Sequence, residues 1–125
     1  MWSHYADGHK GIAIEIDSSN IKNTWEVKYV NELLGVGQTF LSSLWIKQEG
    51  LKNKTFHWDY EKEYRIIGKE KYFDISNKIK AVYCGIRTPE ESINILRKAI
   101  PNNIPIISTV LNKKKLVIEK GSVYS

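Results

Sequence analysis

Two short stretches of the chain concentrate the side chains that could do chemistry. "WSHYADGHKG", at residues 2–11, holds the imidazoles of His4 and His9 beside the ring of Tyr5. "KTFHWDYEKEYR", at residues 54–65, interleaves carboxylates and basic groups with four aromatic rings. Imidazoles and carboxylates are the usual acids and bases of enzymes, and guanidinium and ammonium groups bind phosphate. Each stretch is therefore either a structural corner or one half of a functional site.

The second stretch predicts two carboxylates on one face of a strand. If the strand begins near Glu61, the side chains of Glu61, Glu63 and Arg65 point the same way, because strand side chains alternate between faces. Arg65 would pair with one carboxylate and relieve their repulsion, which leaves the other to act on a substrate. A charged, solvent-exposed strand face explains the same pattern equally well.

The histidine spacing argues against a metal site. His4 and His9 are five residues apart, whereas a helical zinc pair is four apart, and no second cluster of Cys and His completes a set of four ligands. The alternative is that His4 bonds to backbone while Asp7 and Gly8 form a turn. Cys84 lies in an apolar run and is expected to be a buried side chain rather than a nucleophile. We therefore expect no metal cofactor.

The hydrophobic pattern predicts paired strands with two helices between them. This is an α+β fold with a mostly antiparallel sheet, and the length predicts one domain over residues 1–125. Strands are predicted at residues 11–17, 25–30, 61–68, 71–75, 80–86, 104–111 and 116–120, and helices from Thr39 to Gly50 and from Pro89 to Ala99.

Strand alternation and helix-capping residues supply the finer expectations. The strand at residues 11–17 is expected to pair with residues 25–30 and to lie near the strand at residues 62–67. Residues 71–75 are expected to pair with the strand that precedes them, across a short turn. Thr88 predicts the N-cap of the second helix, and Glu91 completes a capping box.

Composition limits the partners and the compartment. The net charge of +5 favours a phosphate-bearing ligand, but the lysines are dispersed and the run at residues 113–115 fits a hairpin turn, which argues against nucleic acid. No apolar run reaches the roughly 18 residues of a membrane span, and there is no signal-peptide pattern. A single cysteine fits a reducing cytoplasm.

Together the two stretches resemble the signature of a large bacterial family of uncharacterised proteins, often associated with abortive-infection loci. Its motifs are W-x-H-Y-A-x-x-H-x-G and K-x-x-x-W-x-Y-E-x-E-x-R. The matching positions are Trp2, His4, Tyr5, Ala6, His9, Gly11, Lys54, Trp58, Tyr60, Glu61, Glu63 and Arg65. In outline the family resembles ADP-ribosyltransferases, which implies NAD as cofactor. One of Glu61 and Glu63 would then support the positive charge that develops on the nicotinamide ribose, and the choice between them is open.

The two stretches are expected to lie near one another and to form one cleft, whose mixture of groups suits a ligand with phosphate, ribose and an aromatic base. His4 would join the glutamates as a catalytic residue, with Lys54 or Arg65 on phosphate. Tyr5, His9 and Trp58 would complete the binding of a small-molecule nucleotide, with an aromatic ring stacked on its base.

Family members carry a long segment before the first motif, so the resemblance also implies the C-terminal part of a longer family domain. An apolar surface around Trp2 would then lie open, and a homodimer is one way to bury it. Three functions follow: an NAD-using transferase of a phage-defence or toxin system, a non-catalytic binding or regulatory module of such a locus, and a basic nucleic-acid-binding protein.

Overall fold

The computed structural model describes residues 2–32, 50–69 and 71–124, and the side chain of Trp2 lies outside that description. The chain divides into a discontinuous unit, Met1–Ser19 with Phe73–Ser125, and an inserted unit, Asn20–Tyr72. In the described part of the chain, α1 spans Trp2–Tyr5 and α2 spans Glu90–Ala99, with 3-10 turns at Phe56–Glu61 and Ser76–Lys78. The strands are β1 (Ile12–Ile16), β2 (Thr24–Glu26), β3 (Lys28–Val30), β4 (Asn53–Thr55), β5 (Tyr64–Ile66), β6 (Ile79–Cys84), β7 (Ile106–Asn112) and β8 (Val117–Tyr124). The prediction of one domain over residues 1–125 stays a prediction.

A four-stranded sheet in the order β1-β6-β7-β8 forms the discontinuous unit. β1 runs antiparallel to β6, with Ile12 opposite Cys84. β6 and β7 run parallel, since α2 connects them and a parallel pair needs such a crossover. β7 and β8 form the predicted antiparallel hairpin around residues 113–116. The predicted α+β class with mostly antiparallel pairing is confirmed.

Helix α2 covers the core of this sheet. Its apolar stripe brings Ile93 onto Cys84 and Ile106, with three partly buried side chains around them: Leu96, Ile100 and Tyr124. The helix is where the sequence predicts it, but Thr88 is not its N-cap. Pro89 holds that position in extended conformation without a capping side chain. The Thr88 hydroxyl instead donates to the Gly11 carbonyl oxygen at 3.1 Å.

The histidine-rich stretch forms a tight corner before β1. The main-chain N–H of Gly11 donates to the Ala6 carbonyl at 2.9 Å, and the intervening chain turns through left-handed conformations at Asp7, Gly8 and His9. The turn predicted at Asp7 and Gly8 is therefore present, and Gly8 adopts the positive φ that such a turn needs. The corner also lies against the chain that follows β6. A Cβ on Gly85 would lie 2.1 Å from the His9 carbonyl oxygen, so only glycine fits there.

The described part of the inserted unit contains two small ladders. β2 runs antiparallel to β5, with Trp25 opposite Arg65. β3 runs parallel to β4, with Tyr29 opposite Lys54. Val27, between β2 and β3, is buried, and its N–H donates to the Glu63 carbonyl at 2.9 Å.

Three predictions about strand pairing are wrong. β1 pairs with β6, and neither residues 25–30 nor residues 62–67 join its sheet. Residues 71–75 form no strand, and β5 begins at Tyr64 because residues 56–61 form the 3-10 turn. Alternation identifies a strand and its two faces, but it carries no information about which distant strand supplies the partner.

The predicted helix from Thr39 lies outside the described residues. Residues 50–52 are helical, so the predicted end of that helix at Gly50 is wrong. Within the described ranges, no helix is long and apolar enough to cross a membrane.

Candidate functional site

Four charged side chains of the second stretch converge in the inserted unit. This carboxylate cluster consists of Lys54, Glu61, Glu63 and Arg65. The Lys54 ammonium group bonds to the Glu61 carboxylate and lies 3.2 Å from Glu63 Oε2. Arg65 binds Glu63 with two nitrogens, Nε at 2.6 Å from Oε1 and Nη2 at 3.2 Å from Oε2. The ion pair that charge repulsion predicted for Arg65 is therefore present, and Glu63 is its partner.

The backbone around Lys62 explains why the two glutamates meet. The 3-10 turn ends at Lys62, which is left-handed with φ 47°, and its N–H donates to the Asp59 carbonyl at 3.3 Å. This reversal separates Glu61 from β5, so the simple strand alternation predicted for these residues does not hold. The Tyr29 hydroxyl accepts a hydrogen bond from the Glu63 N–H at 2.8 Å, which fixes the start of β5.

The two glutamates differ in accessibility. The Glu61 side chain is 3% exposed and the Glu63 side chain is 28% exposed. The guanidinium of Arg65, followed by the ammonium of Lys54, lowers the pKa of Glu63 despite partial burial. Hydrogen bonding to Glu61 raises the pKa of Lys54, and hydrogen bonding to Glu63 raises that of Arg65. Glu63 is thus an ionised carboxylate that solvent reaches, whereas Glu61 is enclosed.

A surface depression of about 410 Å³ adjoins the cluster. It is lined by Leu51, Glu63, Arg65, Ile66, Ile67 and Gly68. One wall therefore carries the ion pair, and the rest is largely apolar. Ligand sites for small molecules commonly combine an apolar lining with a few fixed polar groups.

Sequence reasoning placed Trp58 at the site, and the structure brings it to the cluster. The Lys54 Nζ lies 4.9 Å from the centre of the Trp58 ring, which in turn is 6.1 Å from the ring of Tyr60. Lys54 and Arg65, predicted to hold phosphate, are both bound to carboxylates, and Arg65 Nη1 also donates to the Leu51 carbonyl at 2.7 Å. Their role toward a ligand stays a prediction.

The other predicted site residues, His4, Tyr5 and His9, belong to the discontinuous unit. The carbonyl of His9 accepts a hydrogen bond from the Arg87 N–H at 3.0 Å, which gives that residue a structural role in the corner. Convergence of these residues with the carboxylate cluster stays a prediction.

Sequence reasoning missed Trp25 and Lys52. Trp25 lies directly across the ladder from Arg65, and the Lys52 Nζ lies 4.1 Å from the centre of its ring. In the sequence Trp25 alternates with Val27 and Tyr29, a pattern that places the three on one strand face but does not say whether that face is buried. The change of partner strand at Val27, which leaves Trp25 at the surface, has no signal in the sequence.

Comparison with known families gives one match. Residues 1–33 match the sequence profile of a family described as a protein of unknown function (DUF2971), a range that includes the histidine-rich corner. Neither a curated protein nor a solved structure matches the chain. The function therefore has to be argued from the geometry of the site.

Proposed function

We propose that the chain is an NAD-using, ADP-ribosyltransferase-like protein that binds the nucleotide at the depression beside Glu63. One observation carries the proposal. Glu63 presents an ionised, partly exposed carboxylate on the wall of that depression, held in place by Lys54 and Arg65. The E-x-E-x-R stretch resembles the corresponding motif of ADP-ribosyltransferases, which favours the same chemistry. The bacterial family whose signature the chain resembles is often associated with phage-defence loci, which suggests the biological setting.

An ionised carboxylate is the group that this reaction needs. ADP-ribosyl transfer breaks the bond between nicotinamide and the anomeric ribose carbon and joins that carbon to a nucleophile of the acceptor, or to water in hydrolysis. Positive charge develops on the ribose as nicotinamide leaves with the bonding electrons. A fixed negative charge lowers the barrier where that charge develops. Glu63 is the better candidate of the two glutamates because its side chain is exposed, while Glu61 is enclosed and binds Lys54.

Glu61 then acts as a positioning residue. Its carboxylate holds the Lys54 ammonium, and Lys54 in turn contacts Glu63. His4, Tyr5 and His9 enter the proposal through the resemblance alone, with His4 as a catalytic residue and the other two as ligand-binding residues.

The test is NAD consumption by the full chain and its Glu63→Gln variant. We expect Glu63→Gln to lower turnover by roughly 100-fold or more, the usual loss when a transition-state electrostatic contact is removed. Glu91→Gln, at an exposed position in the first turn of α2, is the matched control and should leave turnover unchanged. Circular dichroism confirms that the variants are folded. Equal turnover in wild type and Glu63→Gln would end the transferase proposal.

A non-catalytic binding module is the second candidate, and a specific observation favours it. Lys54 and Arg65 between them bind both carboxylates, as expected of a cross-link that stabilises the inserted unit. Calorimetry together with the consumption assay separates the two candidates, because a module would bind NAD without consuming it. Because the net charge is +5, an oligonucleotide is titrated as well. If the chain binds the oligonucleotide more tightly than NAD, the result favours a nucleic-acid-binding protein.

A further inference from the structure

We propose that the tip of the β7–β8 hairpin is a membrane-contact site, at which Leu116 enters the surface of a bilayer that contains anionic lipids. The hairpin tip consists of Lys113, Lys114, Lys115 and Leu116. This inference goes beyond the proposed function and does not depend on it, because every residue that carries it lies in the discontinuous unit. The contact is peripheral and uses one short loop.

The hairpin tip stands at the end of an arm built from two strands. β7 pairs with β6 from Ile106 to Ser108, whereas its pairing with β8 continues to Asn112. Val110 and Leu111, in the part that extends past this β6 pairing, are neighbours on the strand and point to opposite faces. Each of these two residues is nearly half exposed. Both faces of the arm are therefore open to solvent near the tip.

An exposed leucine in an unfavourable conformation closes the hairpin tip. Leu116 is 79% exposed, and its backbone is left-handed with φ 53°. This conformation is costly for leucine, whereas glycine or asparagine adopts it more readily. Neither burial within the chain nor backbone preference therefore accounts for a leucine at this position. A bilayer surface would supply the apolar environment that the described chain does not.

The three lysines before Leu116 carry the charge that anionic lipids attract. All three are exposed, and none forms an ion pair with a residue that the structure describes. Glu119, the nearest acidic residue in the sequence, accepts a hydrogen bond from the Asn112 amide at 2.9 Å. The side-chain oxygen of Asn112 accepts from the main-chain N–H groups of Lys114 and Lys115 at 3.1 and 3.2 Å. The turn is thus held without the use of an ammonium group.

An aliphatic side chain beside a run of lysines fits a bilayer better than a nucleic acid. At an anionic bilayer, ammonium groups stay at the level of the headgroups while a neighbouring apolar side chain enters the acyl boundary. Proteins that bind nucleic acids commonly use arginine to read base edges or aromatic rings to stack on bases. Residues 109–117 contain neither. The partner is therefore a lipid surface with anionic headgroups.

The experiment measures sedimentation of the full chain with two kinds of vesicle. One is pure phosphatidylcholine, and the other contains about one-third phosphatidylserine, which gives it a negative surface potential. We expect the chain to bind the phosphatidylserine vesicles about 100-fold more tightly, and to lose this preference as the salt concentration rises from about 0.1 M to about 1 M. The triple variant Lys113→Gln, Lys114→Gln, Lys115→Gln should weaken this binding by about 100-fold, since each lysine contributes roughly fivefold.

Three exposed lysines of the inserted unit provide the matched control for net charge. The triple variant Lys22→Gln, Lys28→Gln, Lys69→Gln removes the same charge from positions outside the hairpin. It should weaken binding to the phosphatidylserine vesicles by less than about fivefold, the contribution of one lysine at the lipid surface.

Leu116→Asn separates membrane insertion from folding. It should weaken vesicle binding by about tenfold through the lost apolar contact. The midpoint of urea unfolding should stay the same or rise, because asparagine tolerates the left-handed conformation. Ile95→Gln is the control, since it removes a similarly exposed aliphatic side chain from α2, and it should leave vesicle binding unchanged.

Four results would overturn the inference. Equal affinity for the two kinds of vesicle would remove the role of anionic lipid. An equal loss of binding in the two triple variants would reduce the attraction to net charge. Unchanged binding by Leu116→Asn would remove the insertion. An oligonucleotide that displaces the chain from the vesicles, and that binds the tip variant more weakly than wild type, would assign the tip to nucleic acid.

Discussion

The enclosed carboxylate of Glu61 gives a stability prediction that tests the carboxylate cluster directly. Removing one partner of a buried ion pair typically destabilises a protein by about 3–5 kcal/mol. Glu61→Gln keeps the side-chain volume, and Lys54 retains Glu63 as a partner, so we expect the lower end, about 3 kcal/mol. For 125 residues the unfolding entropy is about 0.26 kcal/mol per kelvin, which converts this loss into a Tm lower by about 11 °C.

A double-mutant cycle with Lys54→Met shows whether the two residues act as a pair. Lys54→Met alone leaves a buried carboxylate without its cation, and we expect it to be less stable than Glu61→Gln. Adding Glu61→Gln to Lys54→Met should restore stability relative to Lys54→Met, because the enclosed charge is then gone. Thermal unfolding followed by circular dichroism measures all four proteins. Losses that simply add in the double variant would refute the coupling and with it the positioning role of Glu61.

Three further predictions concern the discontinuous unit. Gly85→Ala should lower the free energy of unfolding, measured by urea titration, by about 3 kcal/mol or more, since its Cβ would overlap the His9 carbonyl. Gly50→Ala is the control and should be nearly neutral. No described heavy atom beyond its chain neighbours lies within 4 Å of the added Cβ. Burial raises the pKa of the Cys84 thiol, so iodoacetamide at pH 8 should leave the native chain unmodified. After unfolding, the reagent should alkylate one thiol per chain. Rapid alkylation of the native chain would contradict the buried position of Cys84. Hydrogen bonds from Ser19 lower the pKa of Asp17 from 3.8 to about 2, so the stability they give is present above pH 4 and lost as the pH falls toward 2. The Tm difference between wild type and Asp17→Asn should therefore shrink on acidification, and a constant difference would contradict this origin.

Local patterns predicted the elements whose signals are local. The apolar run of β6, the stripe of α2 and the turn between β7 and β8 each lie within a short window, and each element is present. Thr88 shows the limit of such patterns. A T-x-x-E sequence before a helix predicts a capping box, but the extended conformation of Pro89 starts the helix one residue later and leaves the Thr88 hydroxyl to Gly11.

The sequence predicted the part of the candidate site whose signal lies within one short stretch. Charge repulsion within one short stretch predicted that Arg65 pairs with one of Glu61 and Glu63, and the structure shows that Glu63 is this partner. The part played by Lys54 depends on the left-handed turn at Lys62, and the exposure of Trp25 depends on the change of ladder partner at Val27. Tertiary contacts select both features, the turn at Lys62 and the change of partner at Val27, from several conformations that the local sequence allows. No short window of the sequence therefore specifies them.

The discontinuous unit has a consequence for how the chain folds during synthesis. The Glu15 carboxylate accepts a hydrogen bond from the Tyr83 hydroxyl, a contact between residues 68 positions apart. Ribosomes add roughly 5–20 residues per second, so about 3–14 s pass between the appearance of β1 and that of its partner strand. The inserted unit emerges in that interval and can form its ladders first, whereas Ile12 and Ile14 wait without a partner strand. Chaperones that bind apolar nascent segments should therefore engage the N-terminal strand, and slower translation should lengthen that engagement.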